Sequence, residues 1–161
     1  MEDQTDLAFD RLTVALESEH EALERLRFRL VSLRLFIMLA DVDHVDLAVD
    51  DLNTEIDRTT KLAGTVGQTA AAVAAILGLP GGSSLEVVAK ASPEPYGRYL
   101  CELSTHVRTA GKAVEEARAQ VSVATRSSLD EVNDLVDLTG VIDSRDGQSQ
   151  PERSILFEGR L

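Results

Sequence analysis

The residues best suited to metal chemistry are histidines with acidic neighbours. Glu17 and His20 have the spacing used on one helix face by helical di-iron proteins. Such a site needs a second pair of the same spacing and two further carboxylates. Glu102 and His106 are four residues apart, so no complete set is present. We therefore predict no metal site and interpret these side chains as parts of solvated helix faces.

Two loop segments also invite a functional interpretation. Asp41-Val42-Asp43 resembles the opening of a calcium loop, but Asp46 stands where that loop needs glycine. We interpret these acids as helix-capping residues. The Gly-rich segment 79–84 lacks the Lys-Ser/Thr ending of a phosphate-binding loop, so we interpret it as a linker.

The sequence offers no recognisable nucleophile. His20, His44 and His106 fall on different predicted helices, and no Ser or Cys motif accompanies them. The single Cys101 lies beside an apolar seam and is predicted to be a packing residue. It cannot close an internal disulfide, which is compatible with a reducing compartment. We predict no catalytic residue and no cofactor, and hence no enzyme.

The composition indicates long helices. The chain has 161 residues, of which 43% are apolar and only 4% aromatic, which fits aliphatic helix seams better than a β-sandwich. The net charge of −12 disfavours binding to nucleic acid and to anionic membranes. The first residues show no basic region before an apolar core, so we expect no secretory signal.

The first predicted helix runs from about Asp6 to Ala40. Its heptad seam has one gap at Glu19, which either sets the register or faces out where the first turns splay; we favour the second. Residues 30–40 (LVSLRLFIMLA) are too few to span a bilayer, and we predict a deeply buried helix segment there. The predicted seam consists of Phe9, Leu12, Leu16, Leu23, Leu26, Leu30, Leu33 and Ile37.

The second predicted helix starts near Asp43, its expected N-cap, and is stopped by Gly78 and Pro80. The short connection predicts an antiparallel hairpin with the first helix. Acidic residues between 41 and 57 then face arginines late in the first helix. The predicted seam consists of Val45, Val49, Leu52, Ile56, Thr59, Ala63, Val66, Ala70, Val73 and Leu77.

A short helix and a last long helix follow. Ser83 with Glu86 predicts a capping box for the short helix, and Pro93 is expected in the first turn of the long one. The apolar frame of the long helix slips at residues 126–128, where a bend or restart is expected. We expect helicity to end near Gly140. The predicted fold is all-α: an elongated antiparallel bundle of three long helices with a short extra helix, spanning residues 1–142, and a flexible tail, 143–161.

Helix lengths predict that the last helix runs past the hairpin and leaves an apolar stripe without a partner. Such a stripe usually marks an interaction surface, although self-association or folding back onto the bundle would also cover it. The tail carries a short apolar island, which is a further contact or an inert or self-docked segment. The candidate partner-binding residues are Leu129, Val132, Leu135, Val136, Leu138, Ile142, Ile155, Leu156 and Phe157.

Five segments, in order, resemble one family. They are LESEHEALERLRFRL, TEIDRTT, AILGLPGGSSLEVV, AKASPEPYGRYL and the C-terminal FEGR. Their combination is similar to the FlgN family of flagellar type III export chaperones. The chain departs from that family in lacking an Asn-rich patch, since AGKAVEEARAQV stands there, and in having Phe157 where the family usually has Tyr.

The resemblance implies a bacterial cytoplasmic chaperone. Such a protein holds hook–filament junction proteins of the FlgK and FlgL type, masks their terminal helices and delivers them to the export gate. Separately, the acidic composition and the shortness of the apolar run predict no nucleic-acid partner and no membrane insertion. The alternatives are a self-associating coiled-coil scaffold or regulatory protein, which would form homo-oligomers, and an enzyme or metal protein built on a helical bundle.

Overall fold

The structure is a computed structural model that describes residues 2–146, with side chains described between residues 5 and 137. This part of the chain is helical and contains no strand, which confirms the all-α prediction. None of its helices has a stretch long and apolar enough to cross a membrane. The helices are α1 (Glu2–Met38), α2 (Val42–Ile76), α3 (Leu85–Ala91) and α4 (Tyr96–Asp146).

The chain divides into two units after Thr125, and α4 contributes to both. The first unit contains α1, α2, α3 and α4 up to that residue. In the second unit, the described part consists of the last 21 residues of α4.

Two clusters of buried side chains form the core of the first unit. In the larger cluster, Phe9, Leu12 and Leu16 of α1 are fully buried. Each such side chain contributes about 1.5–3 kcal/mol when it leaves water. They pack with residues of the other three helices, among them Val73 and Leu100, so this cluster joins all four helices. The second cluster consists of Leu26, Leu30, Val114 and Ala117, with Leu23, Leu52 and Val121 packed against it.

Helices α1 and α4 run parallel in the first unit. Tyr96 donates a hydrogen bond to Asp10, and Arg34 donates one to Gln120 at 2.8 Å. Both pairs are 86 residues apart, so the two helices keep one register along this length. Tyr96 also stacks on Phe9 with ring centroids 4.8 Å apart.

The turn between α1 and α2 is closed by hydrogen bonds at both helix ends. Asp41 N–H donates to Phe36 C=O and Ala40 N–H to Ile37 C=O, which is the Schellman pattern. The N-cap of α2 is Asp41, two residues before the predicted Asp43, and its carboxylate accepts from His44 N–H. The interpretation of Asp41 as a capping acid is thereby confirmed.

The predicted seam of α2 is wrong at every second position before Val66: Val45, Leu52 and Thr59 are partly buried as predicted, and the other three positions are not. Val49 and Ile56 are exposed, and so is Ala63. At the three wrong positions the residue one place earlier faces inward, so the inward row follows Ala48 in steps of four and three. These inward positions are Ala48, Leu52, Glu55, Thr59 and Leu62. A pattern of apolar residues alone missed this register because one inward position is a glutamate.

That glutamate is held by an ion pair across the hairpin. Arg25 Nε lies 3.2 Å from Glu55 Oε1, and the Glu55 side chain is only 12% exposed. Farther along, Arg29 Nη1 lies 2.9 Å from Asp51. The predicted pairing of late α1 arginines with early α2 acids is confirmed.

The prediction that residues 30–40 are deeply buried is wrong. Leu30 and Leu33 are buried, whereas Leu35 and Met38 are 52% and 61% exposed. The physical reason is that, within the described residues, α1 packs against α2 and α4 on one side. A second row of aliphatic residues on the other side therefore faces water.

The last two helices begin later than predicted. Ser84, not Ser83, caps α3, with its hydroxyl accepting from Val87 N–H, and Ser83 instead donates to Pro80 C=O. Helix α4 begins at Tyr96, after both prolines. It continues as helix through residues 126–128 without a restart and passes Gly140, ending at Asp146.

Candidate partner-binding site

The predicted binding residues on α4 have exposed side chains wherever the structure describes them. Leu129, Val132, Leu135 and Val136 are between 55% and 62% exposed. Large aliphatic side chains on a soluble helix are usually turned inward, so four within eight residues define an exposed apolar surface. We call this surface, residues 129–136, the α4 end.

Helical geometry separates the predicted residues into two groups. At about 100° per residue, Leu129, Val132 and Val136 lie within about 60° of one another, and Leu135 lies about 60° beyond that arc. Positions 138 and 142 are about half a turn away from Leu129 on the same helix. The side chains of Leu138 and Ile142 lie outside the described side chains. The predicted contacts Ile155, Leu156 and Phe157 lie outside the described residues altogether.

The α4 end carries acids that lie along one edge of its apolar row and on the opposite face of the helix. Asp130, Glu131, Asp134 and Asp137 are exposed and interleave with the aliphatic residues. No Lys or Arg occurs between Arg126 and Arg145. A helix that binds here therefore needs an apolar face bordered by basic residues.

A second apolar surface, which sequence reasoning missed, lies on α1. Phe28, Val31, Leu35 and Met38 follow one another at spacings of three, four and three, and all are exposed. Residues 25–40 contain four arginines and no acid. We call this surface the α1 stripe. The spacing is visible in the sequence, but the prediction that residues 30–40 are deeply buried assigned most of these side chains to the core.

The helix register brings two predicted solvent-facing histidines together. His20 of α1 and His106 of α4 have ring centroids 5.7 Å apart. Glu17, the presumed partner of His20 in a metal site, instead accepts a hydrogen bond from Tyr99 at 2.5 Å, which raises the pKa of Tyr99. Within the described residues, no group of three or more His, Cys, Asp or Glu is placed to hold a metal ion.

The third histidine belongs to the cap of α2. His44 Nδ1 lies 2.9 Å from the Asp41 carboxylate, and its ring stacks on Phe36 with centroids 5.3 Å apart. The hydrogen bond with Asp41 raises the pKa of His44 most, and the negative charge of Asp41 raises it further. The same hydrogen bond lowers the pKa of Asp41. A cavity of about 230 Å³ adjoins this pair, lined by Arg29, Ser32, Phe36, His44, Leu47, Ala48 and Asp51.

The burial of two single residues, Glu19 and Cys101, tests what the sequence predicts for them. Glu19 is partly buried rather than facing out, and burial raises its pKa because the charged form is poorly hydrated there. Cys101 is partly buried and packs against the main core cluster, as predicted for a packing residue.

The described side chains thus present two exposed apolar surfaces of opposite charge. The histidines make contacts with one another or with a capping acid. This arrangement suits binding to helices better than it suits chemistry on a small substrate. No protein-family model, curated protein or solved structure matches the chain.

Proposed function

We propose that this chain is a chaperone of the flagellar type III export pathway. In this proposal it binds hook–filament junction proteins of the FlgK and FlgL type in the bacterial cytoplasm and delivers them to the export gate. It acts by binding alone, without a catalytic residue or cofactor. The observation that carries the proposal is the exposed aliphatic row Leu129, Val132 and Val136. The ordered resemblance of the sequence to the FlgN family supplies the identity of the client.

The bundle and the α4 end have separate roles in this proposal. The elongated antiparallel bundle of three long helices forms the scaffold, and the α4 end binds an apolar helix of the client. Each aliphatic side chain that becomes covered contributes on the order of 1.5–3 kcal/mol before ordering costs. The acidic edges select client helices whose apolar face is bordered by Lys or Arg, because like charges would repel.

The proposal is tested by placing charges within the aliphatic row. The double variant Leu129→Asp with Val132→Asp should weaken binding of junction proteins at least a hundredfold, as measured by isothermal titration calorimetry. Two buried carboxylates without partners would oppose complex formation. Because both positions are exposed, the thermal midpoint should stay close to that of the unchanged protein.

A matched control lies on the same helix. Val123→Asp replaces a valine that is 66% exposed but lies in the first unit, before the α4 end. This variant should bind the client normally. Unchanged client binding by the Leu129/Val132 variant would place the site elsewhere.

One observation favours a second function, a self-associating scaffold. The α1 stripe is another exposed apolar surface, and the client proposal does not use it. A mass that rises with concentration, together with no measurable binding of any junction protein, would support the scaffold over the chaperone.

A further inference from the structure

The α1 stripe and the α4 end have matching apolar patterns. Phe28, Val31 and Leu35 follow one another at spacings of three and four residues, as do Leu129, Val132 and Val136. Each set spans eight residues of helix, a rise of about 10 Å between the first and last Cα. Two helix faces with the same repeat can interdigitate along their length.

Their charges are opposite. Arg27 and Arg34 lie along one edge of the α1 stripe, whereas Arg25 and Arg29 face α2 and pair there with Glu55 and Asp51. On the α4 end, Asp130 and Asp137 lie along one side of the row Leu129, Val132 and Val136, and residues 129–136 contain no basic residue. The edge that carries Arg27 and Arg34 favours an acidic partner.

We propose that the α4 end of one copy of this chain binds the α1 stripe of a second copy. This inference goes beyond the chaperone proposal and stands without it, because it rests on surfaces that both belong to this sequence. Pairing two α1 stripes would bring arginines together, and pairing two α4 ends would bring acids together. Only the unlike pairing covers both apolar rows and also joins opposite charges.

At the edge of the α1 stripe, Arg27 is available for a new contact. In the described part of the chain, Arg27 pairs with Glu24 of its own helix at 3.7 Å, with both side chains about half exposed. Surface pairs of this kind contribute little, so Arg27 can exchange its partner. Asp130 and Glu131 form no ion pair within the described residues.

The test uses two full-length variants, each lacking one surface. Phe28→Asp disrupts the α1 stripe, and Val132→Asp disrupts the α4 end; both side chains are more than half exposed. In sedimentation velocity over a concentration series, the unchanged protein should associate, and salt should weaken that association. Each variant alone should associate at least tenfold more weakly than the unchanged protein.

Mixing the two variants provides the decisive measurement. The Phe28→Asp chain keeps its α4 end, and the Val132→Asp chain keeps its α1 stripe. An equimolar mixture should therefore form a complex that stops at two chains, which also shows that both variants are folded. The matched control Val14→Asp, at an exposed position of α1 outside the stripe, should associate like the unchanged protein.

Other outcomes would overturn the proposal. Association of the Phe28→Asp variant alone would indicate pairing of two α4 ends, and association of the Val132→Asp variant alone would indicate pairing of two α1 stripes. A mixture that stays monomeric, or an unchanged protein that is monomeric at all concentrations, would exclude the unlike pairing. Client binding by Phe28→Asp, measured separately, tests the chaperone proposal without affecting this conclusion.

Discussion

At the scale of single residues, charged side chains occupy structural positions that the apolar pattern did not predict. Glu55 occupies an inward position of α2 because Arg25 reaches across the hairpin to pair with it. Asp41 caps α2 and also binds the ring of His44. Both cases show a charged group placed by a specific partner rather than by hydropathy.

The pair of His44 and Asp41 predicts a pH dependence. Because Asp41 raises the pKa of His44 in the folded chain, the stabilisation from this histidine is complete below the ordinary histidine pKa, near 6.5. It is lost as pH rises through the raised value. The lowered pKa of Asp41 has the opposite consequence: its contribution is lost as pH falls through that value.

The measurement is an NMR titration of the His44 ring. Asp41→Asn should return the His44 midpoint towards 6.5, because the charged hydrogen bond is lost. Asp43→Asn is the matched control. It should lower the His44 midpoint less, because Asp43 affects His44 only through a smaller charge interaction. Equal shifts in both variants would show that general negative charge, not the hydrogen bond, raises the His44 pKa.

At the scale of elements, two helix ends use the same motif with different residues. After α1, Ala40 has a φ of 52°, and after α2, Gly78 has a φ of 68°. Each is followed by an N–H that closes the Schellman hydrogen bond, from Asp41 to Phe36 and from Leu79 to Ala74. Alanine in this left-handed conformation is strained, whereas glycine is not.

Exchanging these residues should change stability in opposite directions. Ala40→Gly should raise the free energy of unfolding by about 0.5–1 kcal/mol, because relief of the strain exceeds the added freedom of the unfolded chain. Gly78→Ala should lower it by about 1 kcal/mol. No atom lies within 4 Å of a Cβ added at Gly78, so the loss there reflects backbone conformation alone.

Urea denaturation followed by circular dichroism measures both changes. Gly64→Ala serves as the control, because Gly64 is inside α2 with open space around it and alanine is the better helix former. Destabilisation by Ala40→Gly would contradict the strain argument.

At the scale of the whole molecule, the first unit has a core that draws on all four helices. Phe9, Val73, Val88 and Leu100 are all fully buried, and each comes from a different helix. Because each helix buries its apolar face against the others, the unit should unfold in one cooperative transition. The described part of the second unit is a single helix segment with exposed aliphatic residues.

Leu100→Ala tests this cooperativity. It should lower the free energy of unfolding of the first unit by about 2–5 kcal/mol, since it leaves a cavity beside residues of the other helices. Val123→Ala, at an exposed position of the same helix, should change it by less than about 0.5 kcal/mol. Thermal unfolding monitored by circular dichroism compares the two. An early separate loss of helicity in Leu100→Ala would show that α4 is not part of the cooperative unit.

The sequence by itself determined the helical class, the hairpin, the main seam of α1 and the candidate residues of the α4 end. Those features depend on local periodicity and on turn residues, which sequence spacing records directly. Only the tertiary structure decided which side of each seam meets a neighbour. It placed Glu55 inward and Ile56 outward, and it left Leu35 and Met38 exposed. Apolar spacing shows that a helix has an apolar face, but it does not show how many neighbours are present to cover it.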